Sequence, residues 1–167
     1  MRSTKLTLLA IAAACAALLG AALYMQLVKN MLPCPLCVIQ RYMFIAIGLL
    51  CLIAAFVPEK LRRLFIGLAA LPAVAGAGVA AHHLQVLANP QMSCGIDPLE
   101  TGLNNIFLVD WWPTMFRADG LCDAPYDPIL GLSIPGWTEV WYLFFIVVLA
   151  TLFFTYRRPG LFGQRGA

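Results

Sequence analysis

Pro33-Cys34-Pro35-Leu36-Cys37, with Arg41 four residues further on, is the part of this chain best equipped for chemistry. Two cysteines separated by two residues can close into a small disulfide ring or grip a soft metal. A ring this short gains little stability from loop closure, so such a pair is commoner as a reactive couple than as a staple. Pro35 fits the first turn of a helix, where its missing N–H costs nothing. That predicts Cys34 near the N-cap and Cys37 in the first turn, where free N–H groups and the positive end of the helix dipole stabilise a thiolate. Arg41 falls on the same helical face as Cys37. It reads either as a guanidinium serving a thiolate or the polar carbonyl of a ligand, or as an anchor reaching for the membrane surface.

Four other cysteines complete the set. Cys15 and Cys51 sit inside apolar runs and read as small buried side chains. Cys94 and Cys122 lie 28 positions apart in a long polar connection and read either as a staple or as a second redox pair. A four-cysteine zinc site would normally show a second C-x-x-C knuckle, which is absent, so no metal is expected. His82 and His83 are the chain's two histidines. They stand near the end of an apolar segment at a depth like that of Arg41, and read either as polar caps or as a donor to a quinone oxygen or a proton relay. Gln40 and Gln85 are further polar candidates.

The elements that must hold these residues are membrane spans. Of 167 residues, 62% are hydrophobic and 11% charged, under half the ~25% charge of ordinary soluble domains. Runs able to cross a ~30 Å hydrocarbon core fall at about 6–28, 36–57, 64–87 and 137–156, with a connection over 88–136. Backbone in lipid must satisfy itself, so the expected fold is an all-α four-helix membrane bundle in one domain. The Ala/Gly-rich third run suits close helix packing. Arg2, Lys5, Lys60, Arg62, Arg63, Arg157, Arg158 and Arg165 flank the spans on one side, eight of the eleven basic residues. By the positive-inside rule both termini are cytoplasmic and both cysteine-bearing connections face outward. An N-terminal signal reading is set aside, because the apolar run continues well past Cys15 and its loss would leave an odd number of spans. The bilayer is thus a partner, and no nucleic-acid partner is expected.

Within 88–136, Leu103, Ile106, Phe107, Val109, Trp111, Trp112, Met115 and Phe116 form an apolar-aromatic stretch. It reads either as a short helix on the outer leaflet or as a patch packing onto the bundle. Aromatic side chains here are also candidates for contact with a partner protein.

Cys34-Pro-Leu-Cys37 with Arg41, the polar end of the third run, Cys94 and Cys122 in a long outer connection, and Pro128-Ile-Leu-Gly-Leu-Ser-Ile-Pro-Gly-Trp137 before the last span together resemble the disulfide bond formation protein B (DsbB) family of bacterial inner membranes. The resemblance covers essentially the whole chain. It implies an oxidoreductase that reoxidises a periplasmic DsbA-like dithiol oxidase and passes the electrons to ubiquinone or menaquinone. It implies that Cys94 is attacked by the partner's thiolate, that Cys122 communicates with Cys34, and that Cys37 lies against the quinone with Arg41 stabilising it. A histidine closing the third span would assist the quinone. An ungapped reading favours His83, while the departure at Leu84-Gln85-Val86-Leu87 leaves His82 as the alternative register.

The resemblance fits the physics of the residues, since thiol–disulfide exchange through mixed disulfides lets two pairs carry electrons from water to lipid. Other readings are a paralogue with a dedicated partner, or a quinone reductase resembling the vitamin K epoxide reductases, in which the quinone-facing pair normally comes late in the chain rather than first. From a different class comes a small soft-metal-binding or transport protein built on Cys34 and Cys37.

Overall fold

The computed structural model describes residues 2–89, 98–122 and 128–155. Four long helices, α1 (Arg2–Lys29), α2 (Pro35–Phe56), α3 (Glu59–Ala88) and α7 (Ile134–Thr155), are each long and apolar enough to cross a membrane. Three short ones, α4 (Pro98–Asn104), α5 (Phe107–Trp111) and α6 (Pro113–Phe116), lie between α3 and α7. The chain is therefore an all-α, multi-pass membrane protein.

Local chemistry sets the turns. Asn30 adopts φ +53° and reverses the chain after α1, a left-handed conformation that asparagine tolerates better than most residues. Pro58 holds Val57 extended, which stops α2. Arg62 then folds back, donating from Nε to the Ala54 carbonyl at 3.0 Å and from Nη2 to the Val57 carbonyl at 3.2 Å. These carbonyls have no partner inside the helix, so the buried guanidinium closes the α2–α3 hairpin. At the same end of the bundle, Lys5 sits over the Phe56 ring and Arg63 over the Phe153 ring.

The helices pack in series: α1 on α2, α2 on α3 and α3 on α7. Small residues of α3 at alternating three- and four-residue spacing, Ala69, Ala73, Gly76 and Ala80, form its buried seam. At Gly76 a Cβ would stand 2.3 Å from the Tyr142 ring, so the aromatic lies directly on the α3 backbone. Tyr142 stacks on Phe44 at 4.4 Å and donates its hydroxyl to the Gln40 carbonyl at 2.8 Å. Outward positions such as Leu49, Leu71, Phe144 and Val147 remain apolar and exposed, as a surface solvated by lipid requires.

The apolar-aromatic stretch, expected as one short helix or a patch, is α4 to α6, interrupted at Asn105–Ile106 and at Trp112. Val109, Met115 and Phe116 bury against Leu19, Leu23, Tyr42 and Ile45 of α1 and α2. Phe107 and Trp111 point away, 74% and 76% exposed. Packing on the bundle and outward presentation of aromatics therefore belong to opposite faces of one segment.

The segment after α6 docks on the α1–α2 connection. Asn104 grips both backbone groups of Ala118, donating to its carbonyl and accepting its N–H, each at 2.9 Å. The amides of Asp119 and Gly120 both donate to the Pro33 carbonyl, at 3.1 and 3.0 Å. At Gly120 a Cβ would stand 2.3 Å from the Leu32 carbonyl oxygen, which is backbone and cannot swing away. Gly120→Ala should therefore undock the segment, at about the 1–3 kcal/mol typical of overpacking. Hydrogen exchange of the 117–122 peptide should rise about tenfold or more, since 1.4 kcal/mol is tenfold in opening. Gly102→Ala, where nothing lies within 4 Å, should leave it unchanged. Unaltered exchange in Gly120→Ala would remove this docking from the fold.

Candidate functional site

Cys34 is the N-cap of α2 and Pro35 its first residue. The Cys37 N–H donates to Cys34 Sγ at 3.3 Å, and the Val38 N–H to the Cys34 carbonyl at 3.0 Å. The first bond satisfies a helix-start amide that has no backbone partner inside the helix, and the second is the opening rung of the helix ladder. The predicted placement of the pair on a helix N-terminus is the one the structure has.

Cys34 and Cys37 are free thiols, and Cys34 Sγ donates to Cys37 Sγ at 3.0 Å. Cys34 is buried and Cys37 half-buried. Donation of its hydrogen to the Cys37 sulfur, with burial as the second cause, holds the Cys34 thiol far above the ordinary thiol range. The pair is thus asymmetric: Cys34 keeps its proton, and Cys37 is the sulfur positioned to carry negative charge.

His83 reaches this pair from α3. Its Nε2 donates to the Cys122 carbonyl at 3.1 Å and lies 3.8 Å from Cys34 Sγ. A carbonyl can only accept, so Nε2 carries the hydrogen and Nδ1 holds the lone pair. That Nδ1 is buried with no hydrogen-bond partner among the described residues. His82, one position earlier, is exposed, as is Gln85. Cys122 is disulfide-bonded and packs in one buried cluster with Cys34, Leu36 and Val86. Cys94 lies outside the described residues. Cys15 and Cys51 are buried in the bundle core, away from this cluster.

On the other side of Cys37 opens a cavity of about 300 Å³. Its walls come from α1 (Leu18, Leu19, Ala21, Ala22, Met25), from α2 (Cys37, Gln40, Arg41, Phe44) and from the start of α7 (Trp137, Thr138, Trp141). The serial packing explains it: α1 leans on α2 and α7 on α3, so α1 and α7 face one another across the exposed flank of α2. Almost all the lining is apolar. Gln40 and Arg41 supply its polar groups beside the Cys37 sulfur.

Arg41 is buried and held in place by Nη1, which donates to Gln26 Oε1 at 2.9 Å and to the carbonyls of Met115 and Thr114 at 3.1 and 3.4 Å. Its Nε and Nη2 make no hydrogen bond among the described residues. An arginine tied this way to α1 and to α6 is a built part of the cavity wall, and the anchor reading does not describe it. Gln40 is fixed at one end by the Thr138 hydroxyl, which shares its hydrogen between Gln40 Oε1 at 2.9 Å and the Pro135 carbonyl at 2.8 Å. The other end of the amide, Nε2, is buried with no partner among the described residues, an uncommon state for a buried amide donor. Sequence pattern points to none of Gln26, Thr138 and Trp141, and to Trp137 only as the end of the motif before the last span. The position of Trp137 and Thr138, in the first turn of the last span at the depth of Arg41 in the second, was the available signal.

The structure brings together Cys34, Cys37, His83 and Cys122 on one side of the α2 start, and Cys37, Gln40 and Arg41 on the other. His83 does not line the cavity, so Arg41 and the histidine do not face each other across it.

A family model described as Disulfide bond formation protein DsbB matches residues 4–152. Disulfide bond formation protein B of Herminiimonas arsenicoxydans is 51% identical over 158 residues, which cover 95% of this chain and 99% of that protein. The protein of the same name from Cupriavidus metallidurans is 48% identical, over 80% of this chain and 83% of its own length. Disulfide bond formation protein B 1 of Pseudomonas entomophila is 42% identical, over 87% and 88%. With the match running from the first span into the last and including both cysteine-bearing connections, the chain belongs to the DsbB family of disulfide bond formation proteins, membrane oxidoreductases that generate disulfides.

Proposed function

We propose that this protein is a thiol:quinone oxidoreductase of a bacterial inner membrane, which reoxidises a periplasmic DsbA-like dithiol oxidase and delivers the electrons to ubiquinone or menaquinone. The observation that carries this reading is the apolar cavity whose polar groups, Gln40 and Arg41, stand beside the half-buried Cys37 sulfur.

A quinone head group fits that cavity. It is flat and largely apolar, with acceptor oxygens on opposite edges, and the walls offer the rings of Phe44, Trp137 and Trp141. The orphaned Gln40 Nε2 and the guanidinium nitrogens of Arg41 left out of its fixing bonds are donors for those oxygens. When bound, the quinone supplies the oxidising power, taking up two electrons and two protons. Arg41, fixed from α1 and α6, stabilises negative charge on Cys37 and orients the ligand. The clustering of Lys5, Lys60, Arg62 and Arg63 at the opposite end of the bundle supports cytoplasmic termini and an outward-facing cysteine end.

The relay balances as successive exchanges. The partner's thiolate attacks Cys94 of a Cys94–Cys122 disulfide, and Cys122 leaves as the thiolate. Cys122 attacks Cys34 of a Cys34–Cys37 disulfide, and Cys37 leaves as the thiolate beside Arg41. The partner's second thiol then releases Cys94 as oxidised partner departs, and Cys94 attacks Cys122, freeing Cys34. What remains is the Cys34–Cys37 dithiol, the state of the pair in this structure, with two electrons for the acceptor. His83 Nε2–H, on the Cys122 carbonyl, is a positioning group for the step between Cys122 and Cys34.

Purified protein mixed with reduced DsbA-like oxidase and a soluble quinone should reduce the quinone stoichiometrically, followed by its absorbance, and Cys37→Ser should abolish this. Arg41→Ala should raise the apparent KM for quinone by about tenfold or more, the effect of losing a charge-assisted hydrogen bond of about 1.5–3 kcal/mol, with little change in the KM for the partner. Equal loss of both would mean the cavity is not the quinone site. With a partner that lacks its second thiol, and so cannot release Cys94, a mixed disulfide between the partner and Cys94 should accumulate, mapped by mass spectrometry; capture at Cys34 instead would overturn the order of the relay. Because the Cys34 thiol is held protonated, alkylation of the reduced pair between about pH 6 and pH 9 should label Cys37 and spare Cys34. Equal labelling of both thiols near neutrality would reverse the assignment.

A further inference from the structure

Cys34, Cys37 and His83 place two sulfurs and an imidazole nitrogen all within 4.8 Å of one another. They come from two helices, so the grouping is tertiary rather than a consequence of the C-x-x-C spacing. A tetrahedral centre with metal–sulfur bonds of ~2.3 Å and a metal–nitrogen bond of ~2.0 Å spans roughly 3.5 Å between sulfur and nitrogen and about 3.8 Å between sulfurs. His83 Nε2 stands 3.8 Å from Cys34 Sγ, longer than that edge by about 0.3 Å, and the two sulfurs at 3.0 Å need open by less than ~1 Å. The Cys122 carbonyl oxygen, 3.1 Å from the same nitrogen, is a neutral donor on the next edge.

We infer that the reduced form of this protein holds a thiophilic cation of the Zn²⁺ type at Cys34, Cys37 and His83, and that the oxidised form does not. The protons balance within the site. Both thiols must lose theirs, and these two leave with the solvent. The Nε2 hydrogen must also leave, and the buried, unpartnered Nδ1 is where a proton can be taken up, so the imidazole stays neutral through a change of tautomer. Cys37 borders the open cavity, which gives a cation a route in. Once the two sulfurs are joined to each other, or Cys34 to Cys122, the ligand set is gone. Occupancy is thus selective for the dithiol and blocks its reoxidation, so excess metal arrests disulfide formation after electrons have entered the pair. This site is independent of the quinone reading, because it needs only the thiols and the imidazole.

The test is a titration of detergent-solubilised protein with Co²⁺, whose tetrahedral thiolate complexes absorb strongly in the visible and near ultraviolet. Reduced protein should bind one equivalent with tetrahedral bands that Zn²⁺ bleaches, and protein carrying the Cys34–Cys37 disulfide should show none. Cys37→Ser should lose the thiolate bands. His83→Gln keeps an N–H for the Cys122 carbonyl but lacks the imidazole, so it should weaken binding by more than the roughly 10–100-fold typical of partners that only orient a ligand. A Cys94→Ser/Cys122→Ser protein should bind as the wild type does. Unchanged affinity in His83→Gln, equal binding by oxidised protein, or bands that vanish only without Cys94 and Cys122 would each overturn the assignment.

Discussion

The Pro33 carbonyl, one residue before the reactive pair, accepts the amides of Asp119 and Gly120, two residues before Cys122. That three-centre contact joins the two cysteine-bearing connections, and the rest of the site depends on it. Without it the Cys122 carbonyl would not meet His83, and Cys122 would not share a buried cluster with Cys34. It exists because residue 120 has no side chain: the backbones approach too closely for any Cβ. Asn104, by gripping Ala118 from both sides, fixes the approach of the segment from its own end.

Around this contact the start of α2 works as a two-sided element. One side presents Cys34 to α3 and to the docked segment, where exchange between disulfides is possible. The other presents Cys37 with Gln40 and Arg41 to a cavity open between α1 and α7. Two residues, Pro35 and Leu36, therefore separate a protein-facing sulfur from a ligand-facing one. The hydrogen bond between the sulfurs assigns the proton to Cys34 and leaves Cys37 as the charge-bearing member. A C-x-x-C pair in a uniform environment would not be polarised in this way.

The buried polar atoms divide into those that hold the fold and those left open. Arg62 and Tyr142 spend their donors on backbone carbonyls of α2, and in a low-dielectric bundle such bonds fix helix positions. Gln40 Nε2 and His83 Nδ1 have no partner among the described residues and lie on the two sides of the pair. Orphaned donors and acceptors are costly in lipid-embedded protein, and their placement here matches a site that receives a ligand on one side and exchanges protons on the other.

The sequence by itself determined the number of spans, the sharing of cysteines between two connections, and the N-cap geometry of Cys34, because each depends on local composition or on a proline within a few residues. It also held an unread clue to the histidine: the α3 seam Ala69, Ala73, Gly76, Ala80, continued by three, arrives at His83 and leaves His82 outside. Only the tertiary structure decided which groups surround the pair. Gln26, Thr138, Trp137 and Trp141 come from spans one and four, and their meeting with Arg41 follows from helices packing in series and leaving a gap. No periodicity within one segment encodes that gap. Nor could spacing reveal that the histidine and the arginine stand on opposite sides of the cysteines, since that depends on which neighbour each face of α2 turns toward.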